Sequence, residues 1–456
     1  MGGGAFQKAQ AGGLPRLTTP RMTPEQYMQI KDQYLNKLLG YFGSHANVTS
    51  LKEAPEKDSY GDIDMHIATL KQINWAHMAA SIGAAAWLDR GSARSQKCSI
   101  AVCLDGFSQN STPIQYMMSH SNNPHHEKVS AEETEEEYAQ IDLEVVDPEL
   151  ADWSAFYGSY GDLMAILGNL VTNHGFQITD KGFTLRLQEF DDARKSEWDH
   201  FKPQIEDGRM VLSSDTVAVL TFLSMSVEKY RAGFETRESL FLWLSECRLV
   251  SERAEQRVWR PEASRDRQKE KRTNFMEFFH EWLPAHLKTK NAVAVSPGAD
   301  SGTTATDPVD GDEESQQLIS MRHHRERLLQ ESLDFFSKRA EYETKHAVIL
   351  RKRANETAIL LLKSMIIEHT GLSGSGLTKS ARAFRRYVYW DGAMPAIMRE
   401  GVADADSKLH TLVAEDGLKL RFPNGISKWV AKNHDRVRDA MRQEEGRKLM
   451  VKEGMV

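Results

Sequence analysis

The sequence predicts an α/β head with a mixed sheet, followed by a mostly helical C-terminal half. Three observations predict it. Tyr60 to Ile67 and Tyr138 to Val146 alternate polar and apolar side chains with the period of a strand. Around them apolar residues recur at helical spacing, so strands and helices intermix up to about residue 190. From Asp191 onward the helical spacing dominates.

Each element has its own signal. Thr23 is a candidate N-cap, with Glu25 and Gln26 in the first turn, for a helix to about Leu39. The strand carrying Asp62 and Asp64 follows. Trp75 to Asp89 then reads as a helix, with Trp75, Met78, Ile82 and Ala86 along one side, ending near Gly91. Lys97 to Leu104 reads as a buried strand, and residues 107–137 as a long excursion ending in an acidic, solvated run. After the strand at Tyr138, Asp152 is placed to start a helix through Asn169. Gly158, Gly161 and Gly168 inside it are each unfavourable by roughly 1 kcal/mol against Ala, with close packing the expected reason. Phe176 to Leu187 reads as a hairpin around Asp180-Lys181-Gly182, which completes a first domain over residues 1–190.

Residues 191–288 form the next expected domain. Ser214 or Asp215 starts a helix over Val217 to Leu223, Thr236 starts Leu240 to Cys247, and Asn274 to Leu287 is an aromatic-rich helix. The alternating charges between Arg253 and Arg272 read as a solvated helix face ahead of a phosphate-binding stretch. Residues 289–316 hold few large apolar groups and are expected to be a disordered linker. A C-terminal helical region, 317–456, opens with one or two long helices from Gln317 to about Ile367, interrupted at Gly371 to Gly376. Basic helices at Ala381 to Trp390 and Asn433 to Val451 complete it.

Composition narrows the function classes. The chain has 456 residues and a formal charge of −7, so its overall charge makes no case for a nucleic-acid-binding surface. No apolar run reaches membrane-spanning length and no signal-peptide pattern opens the chain, which predicts an intracellular protein with no membrane partner. The three cysteines, Cys98, Cys103 and Cys247, fit a reducing compartment and lack zinc-ligand spacing. A Rossmann-type glycine fingerprint, a histidine cluster and a Ser-His-Asp set give no competing enzyme reading.

The acids on the two strands carry the chemistry. In Gly61-Asp62-Ile63-Asp64, alternation points both carboxylates the same way, roughly 7 Å apart along the backbone. Ile63, Met65 and Ile67 face a core. In the second strand Gln140, Asp142 and Glu144 share a face. If the strands are neighbours, Asp142 adds a third carboxylate, and a bound cation is the simplest way to hold three like charges together. Hard oxygen ligands suit Mg²⁺ or Mn²⁺ shared with substrate phosphates.

Gly-Asp-x-Asp opening a strand, with a third Asp on a later strand, resembles the DNA polymerase β-type nucleotidyltransferase superfamily. Several blocks resemble more closely a group of fungal proteins with a nucleotidyltransferase-like head. These are the Gly3-Gly4 turn leading to Ala5-Phe6, Thr19 to Met22, Glu53 to Lys57 ahead of Gly61 to Asp64, Gly161 through Gly168, and Gly233 to Thr236 leading to Leu242-Trp243-Leu244. The resemblance covers most of residues 1–290 and implies an α/β nucleotidyltransferase-like head. It implies that Asp62 and Asp64 bind metal and the triphosphate, that Asp142 activates the acceptor hydroxyl, and that Gly3, Gly4, Lys57 and Gly61 lie on the nucleotide side.

The expected activity is a divalent-metal-dependent transfer of a nucleoside monophosphate from a nucleoside triphosphate to an acceptor hydroxyl. The acceptor is unidentified, with nucleic acid among the candidates. One departure stands out: the triphosphate-holding glycine turn lies about a dozen residues before the first Asp in the superfamily. Here Gly43-Ser44 is too far upstream and Gly3-Gly4 much further. That departure carries the alternative, an inactive head serving as a binding or scaffold module.

Overall fold

A six-stranded mixed sheet organises the N-terminal part of the chain. Its order is β1 (Asn47–Ser50), β2 (Ile63–Ala68), β6 (Tyr138–Val146), β4 (Lys97–Cys103), β3 (Ala86–Asp89) and β5 (Ile114–Tyr116). β2 runs parallel to β6 and β3 to β5, while the remaining neighbours are antiparallel. The computed structural model describes residues 4–7, 16–92, 95–104, 114–116, 136–188, 208–250, 270–294, 310–391, 394–397 and 426–452. Met1–Leu185 with Val211–Phe336 form one compact unit, and Arg186–Met210 with Ser337–Val456 a second.

One face of the sheet is dry. Ile63, Met65 and Ile67 of β2 and Ile141 and Leu143 of β6 are buried against α1 (Pro24–Phe42) and α2 (Trp75–Ile82). Tyr27, Ile30, Tyr34 and Leu38 supply the stripe on α1, and Trp75, Met78 and Ile82 that on α2. Burying each large apolar side chain stabilises by about 1.5–3 kcal/mol. α1 starts where its cap predicts: the Thr23 hydroxyl accepts from the Gln26 N–H, and the Gln26 side chain accepts from the Thr23 N–H.

Three expected elements come out differently. The helix expected over Trp75 to Asp89 stops at Ile82, where Gly83 adopts the left-handed conformation (φ 72°), and Ala86–Asp89 is β3. The alanines favour helix locally, but pairing with β4 on one side and β5 on the other, with burial of Ala86 and Leu88, favours strand. The helix expected from Asp152 to Asn169 is two, α3 (Ala151–Gly158) and α4 (Leu163–Thr172), separated by Tyr160 (φ 57°) and Gly161 (φ 59°). Gly158 does pack closely, since a Cβ there would lie 2.6 Å from Leu51 Cδ1, whereas a Cβ at Gly168 would meet nothing within 4 Å. Finally, the helix expected to run to Trp390 ends at Tyr387, and Val388–Asp391 pairs with Met394–Ile397 as a hairpin. Val388, Tyr389 and Trp390 are β-branched or aromatic, so strand propensity prevails there.

After the sheet, β7 (Phe176–Thr179), β8 (Gly182–Arg186) and β9 (Arg209–Ser213) form a second, three-stranded sheet containing the expected hairpin. Helices Thr216–Phe222 and Arg237–Ser245 start at Asp215 and Thr236, whose side chains accept from the first-turn amides. The aromatic helix begins at Thr273, passes through a π-helical turn at Phe278–Trp282, and continues to Ala294. The next helix is Asp310–Phe335, so the segment expected to be a linker is helical at both ends, and 295–309 lie outside the described residues. The charged stretch expected as a solvated face lies mostly outside them as well.

In the second unit, helices Arg339–Thr370, Gly374–Tyr387 and Ile426–Lys452 bury Leu362, Ile366, Phe384, Val430 and Val437 together. Leu361, one residue from the buried stripe, is exposed. Among the described residues no helix is long and apolar enough to cross a membrane.

Gly182 gives a direct test of the second sheet. Its φ is 140°, and a Cβ would lie 2.5 Å from the Ser213 carbonyl oxygen and 2.9 Å from Val211 Cγ1. Gly182→Ala should lower the unfolding free energy by about 1–3 kcal/mol, read from urea denaturation. An unchanged midpoint would mean that β8 and β9 separate freely.

Candidate functional site

The face of the sheet opposite α1 and α2 carries the acids. Parallel pairing sets Asp64 opposite Asp142, and antiparallel pairing sets Ser99 of β4 opposite Asp142 on its other side. Three side chains on adjacent strands therefore stand in a row, at the strand spacing of about 4.8 Å. Asp62 precedes β2 by one residue and Asp64 by two. The structure thus brings all three expected carboxylates to one place.

The charges are unevenly compensated. Asp64 lines a cleft of about 820 Å³. Desolvation, then the negative charges of Asp62, Asp142 and Glu53, push its carboxyl up to about 7, with Lys57 pulling in the opposite direction. Asp142 is held differently. Its Oδ1 accepts from the Ser99 hydroxyl at 2.6 Å and the Gln140 amide at 2.9 Å, and its Oδ2 accepts from Arg90 Nη1 at 3.0 Å. Among the described residues no three histidine, cysteine or carboxylate side chains converge as a ready metal-ligand set. Asp142 is instead engaged by Arg90, Ser99 and Gln140.

The residues expected on the nucleotide side divide. Lys57 adjoins the acids: it pairs with Glu53 and lies 5.1 Å from the centroid of the Tyr60 ring. Gly61 follows Tyr60, whose backbone exchanges hydrogen bonds with Met22 at 2.8 and 3.0 Å, fixing the approach to β2. Gly4 reaches the site through its neighbour: the Ala5 N–H donates to Gln140 Oε1 at 2.9 Å, and Gln140 in turn holds Asp142. A Cβ at Gly4 would meet nothing within 4 Å, so the turn has open space beside it. Gly3 lies outside the described residues. Gly43-Ser44 lies before Asn47, which pairs with Ala68, and so sits at the end of β2 remote from Asp62.

Several side chains in the site had no assigned role in the sequence. Glu53 accepts from the Tyr27 hydroxyl at 3.1 Å and adds a fourth negative charge near Asp64. His66 follows Asp64 on the same strand face and lines the cleft. Burial holds it below the ordinary histidine range, and its Nδ1 is buried without a hydrogen-bond partner. Strand alternation places His66 and Ser99 on the acid face; no comparable signal places Arg90, which follows a segment that reads as helix.

The second unit holds a chemical look-alike. The Ser380 hydroxyl lies 2.7 Å from His434 Nε2, and His434 Nδ1 lies 3.1 Å from Asp435 Oδ1. Ser380 is wholly buried between helices, so no carbonyl substrate can reach its oxygen, and the contact is a satisfied core hydrogen bond. Comparison with known proteins returns no match, either to a family model or to a curated sequence.

Asp64 also links pH to stability. The folded state holds its proton more tightly than the unfolded chain, whose ordinary value is 3.8. This contribution is therefore fully present below pH 3.8 and is lost as pH rises through about 7. In chelator, Asp64→Asn should melt a few degrees above the parent at pH 8 and level with it at pH 4. Differential scanning fluorimetry across that range reads both, and equal melting at pH 8 would deny the crowding of charges.

Proposed function

We propose that the chain is a divalent-metal-dependent nucleotidyltransferase. The observation that carries this reading is the pairing of Asp64 with Asp142 on adjacent parallel strands in the wall of the cleft, with Asp62 two residues before Asp64. The donor chemistry fits a hard cation at Asp62 and Asp64: Mg²⁺ is commonly held by one or two carboxylates and completed by substrate phosphates and water. When bound, such an ion neutralises charge on the phosphates and the leaving pyrophosphate.

The chain's own groups supply the rest. Lys57 offers positive charge beside the acids on the triphosphate side, and the Gly4-Ala5 turn offers open backbone next to β6. The acceptor hydroxyl oxygen bonds to the α-phosphorus as the bond to pyrophosphate breaks, and its proton passes to the Asp142 carboxylate. Preorganised charge and positioning carry nearly all the catalysis in this chemistry. The free thiols of Cys98, Cys103 and Cys247 fit an intracellular setting.

A second reading has its own observation. Asp142 is already paired with Arg90, and Gly43-Ser44 sits away from the acids, as in a head that has lost catalysis and serves as a binding module. Incubation with Mn²⁺ or Mg²⁺, each labelled nucleoside triphosphate, and RNA, DNA or the protein itself as acceptor separates the two. The expected outcome is label transfer that falls by about 10²–10³-fold or more in Asp64→Ala. No transfer to any acceptor, with no triphosphate binding by calorimetry, would establish the inactive module.

A further inference from the structure

We propose that Arg90 takes the place of a second divalent cation at Asp142, so that the chain binds one metal ion, at Asp62 and Asp64. The inference rests on the nucleotidyl-transfer reading and specifies which charges that site uses.

The geometry around Asp142 is closed. Arg90 Nη1 donates both to Asp142 Oδ2 at 3.0 Å and to the Ser99 hydroxyl at 3.1 Å, and that hydroxyl donates to Asp142 Oδ1 at 2.6 Å. Ser99 is fully buried and Gln140 almost so, which leaves neither room to turn away. The amide orientation of Gln140 is set from behind, because its carbonyl oxygen accepts from the Ala5 N–H. Three hydrogen bonds thus fill most of the roughly four lone-pair positions of the carboxylate.

Arg90 is equally constrained by its backbone. It directly follows β3, and its N–H donates to the Lys97 carbonyl at 2.8 Å across the β3–β4 turn. Gly91 lets the turn close: a Cβ there would lie 2.9 Å from the Ser95 carbonyl oxygen. Arginine side chains stay charged in proteins, so only displacement of the side chain would take this charge away from Asp142. A divalent ion at Asp142 would meet that positive charge at close range. Around Asp64, the register neighbour, the charges of Asp62, Asp142 and Glu53 outweigh the single cation Lys57, which is itself paired with Glu53.

Stoichiometry tests this directly. Titration of the full chain with Mn²⁺, followed by electron paramagnetic resonance of the free ion, should give one ion per chain for the parent and for Arg90→Lys. Arg90→Gln, which keeps hydrogen-bonding capacity and removes the charge, should give two. Asp62→Asn/Asp64→Asn should give none, with circular dichroism confirming that each variant is folded. Two ions on the parent, or one on Arg90→Gln, would overturn the role of Arg90 while leaving the transferase reading intact. No ion on the parent would overturn both.

Discussion

The parallel pairing of β2 with β6 is the constraint on which the site depends, because it sets Asp64 beside Asp142 at a single strand spacing. Two carboxylates at that distance repel each other, so something else must fix the register. The other face of the same strands does so. Ile63, Met65, Ile67, Ile141 and Leu143 are buried against α1 and α2, and a slip of one residue would turn acids into that core. Burial on one face therefore holds charges together on the other. The order of causation matters: the acids are neighbours because their alternate residues are apolar.

Given that register, the surroundings divide the charge. Asp142 lies where β4 brings up the Ser99 hydroxyl and the β3–β4 turn the Arg90 guanidinium, beside the Gln140 amide of its own strand. Asp64 lies on the outer side of the same pair, toward Glu53 and Asp62, where Lys57 is the opposing charge and is itself tied to Glu53. Glu53 is fixed by the Tyr27 hydroxyl, and Tyr27 stacks on Tyr60 at 4.0 Å between ring centroids. The helix that buries the back of the sheet thus also positions an acid on its front.

What was legible in the sequence follows from period. Alternation in Asp62 to Ile67 and Gln140 to Val145 placed the acids on a shared face, and Thr23, Asp215 and Thr236 marked helix starts through local hydrogen bonds. Adjacency of β2 and β6 was conditional, since pairing partners are not local. β3 reads as helix because Ala84 to Ala86 favour helix, while the pairing that makes Ala86–Asp89 a strand comes from β4 and β5. Arg90 was hidden with it: a residue placed by a turn between strands carries no signal when one strand reads as helix. The break at Tyr160-Gly161 needed positive φ at a tyrosine, which propensity disfavours and tertiary packing imposes.

The cleft's cations bear on what the site can accept. Arg90 is paired with Asp142, Lys97 with Glu144 at 2.7 Å, and Arg272 with Asp162 at 3.1 Å. A site built to grip a long nucleic-acid backbone presents lysines and arginines whose counterions are mobile and are released on binding. Among the described residues the counter-charges are carboxylates of the chain itself, and a naked polyanion would meet Asp64, Asp142 and Glu144 in the same wall. A ligand that brings its own divalent ion escapes this difficulty, as a metal-bound triphosphate does. On the proposed transferase reading, Tyr157 and His66 in the lining would offer an acceptor shape and hydrogen bonding rather than net charge.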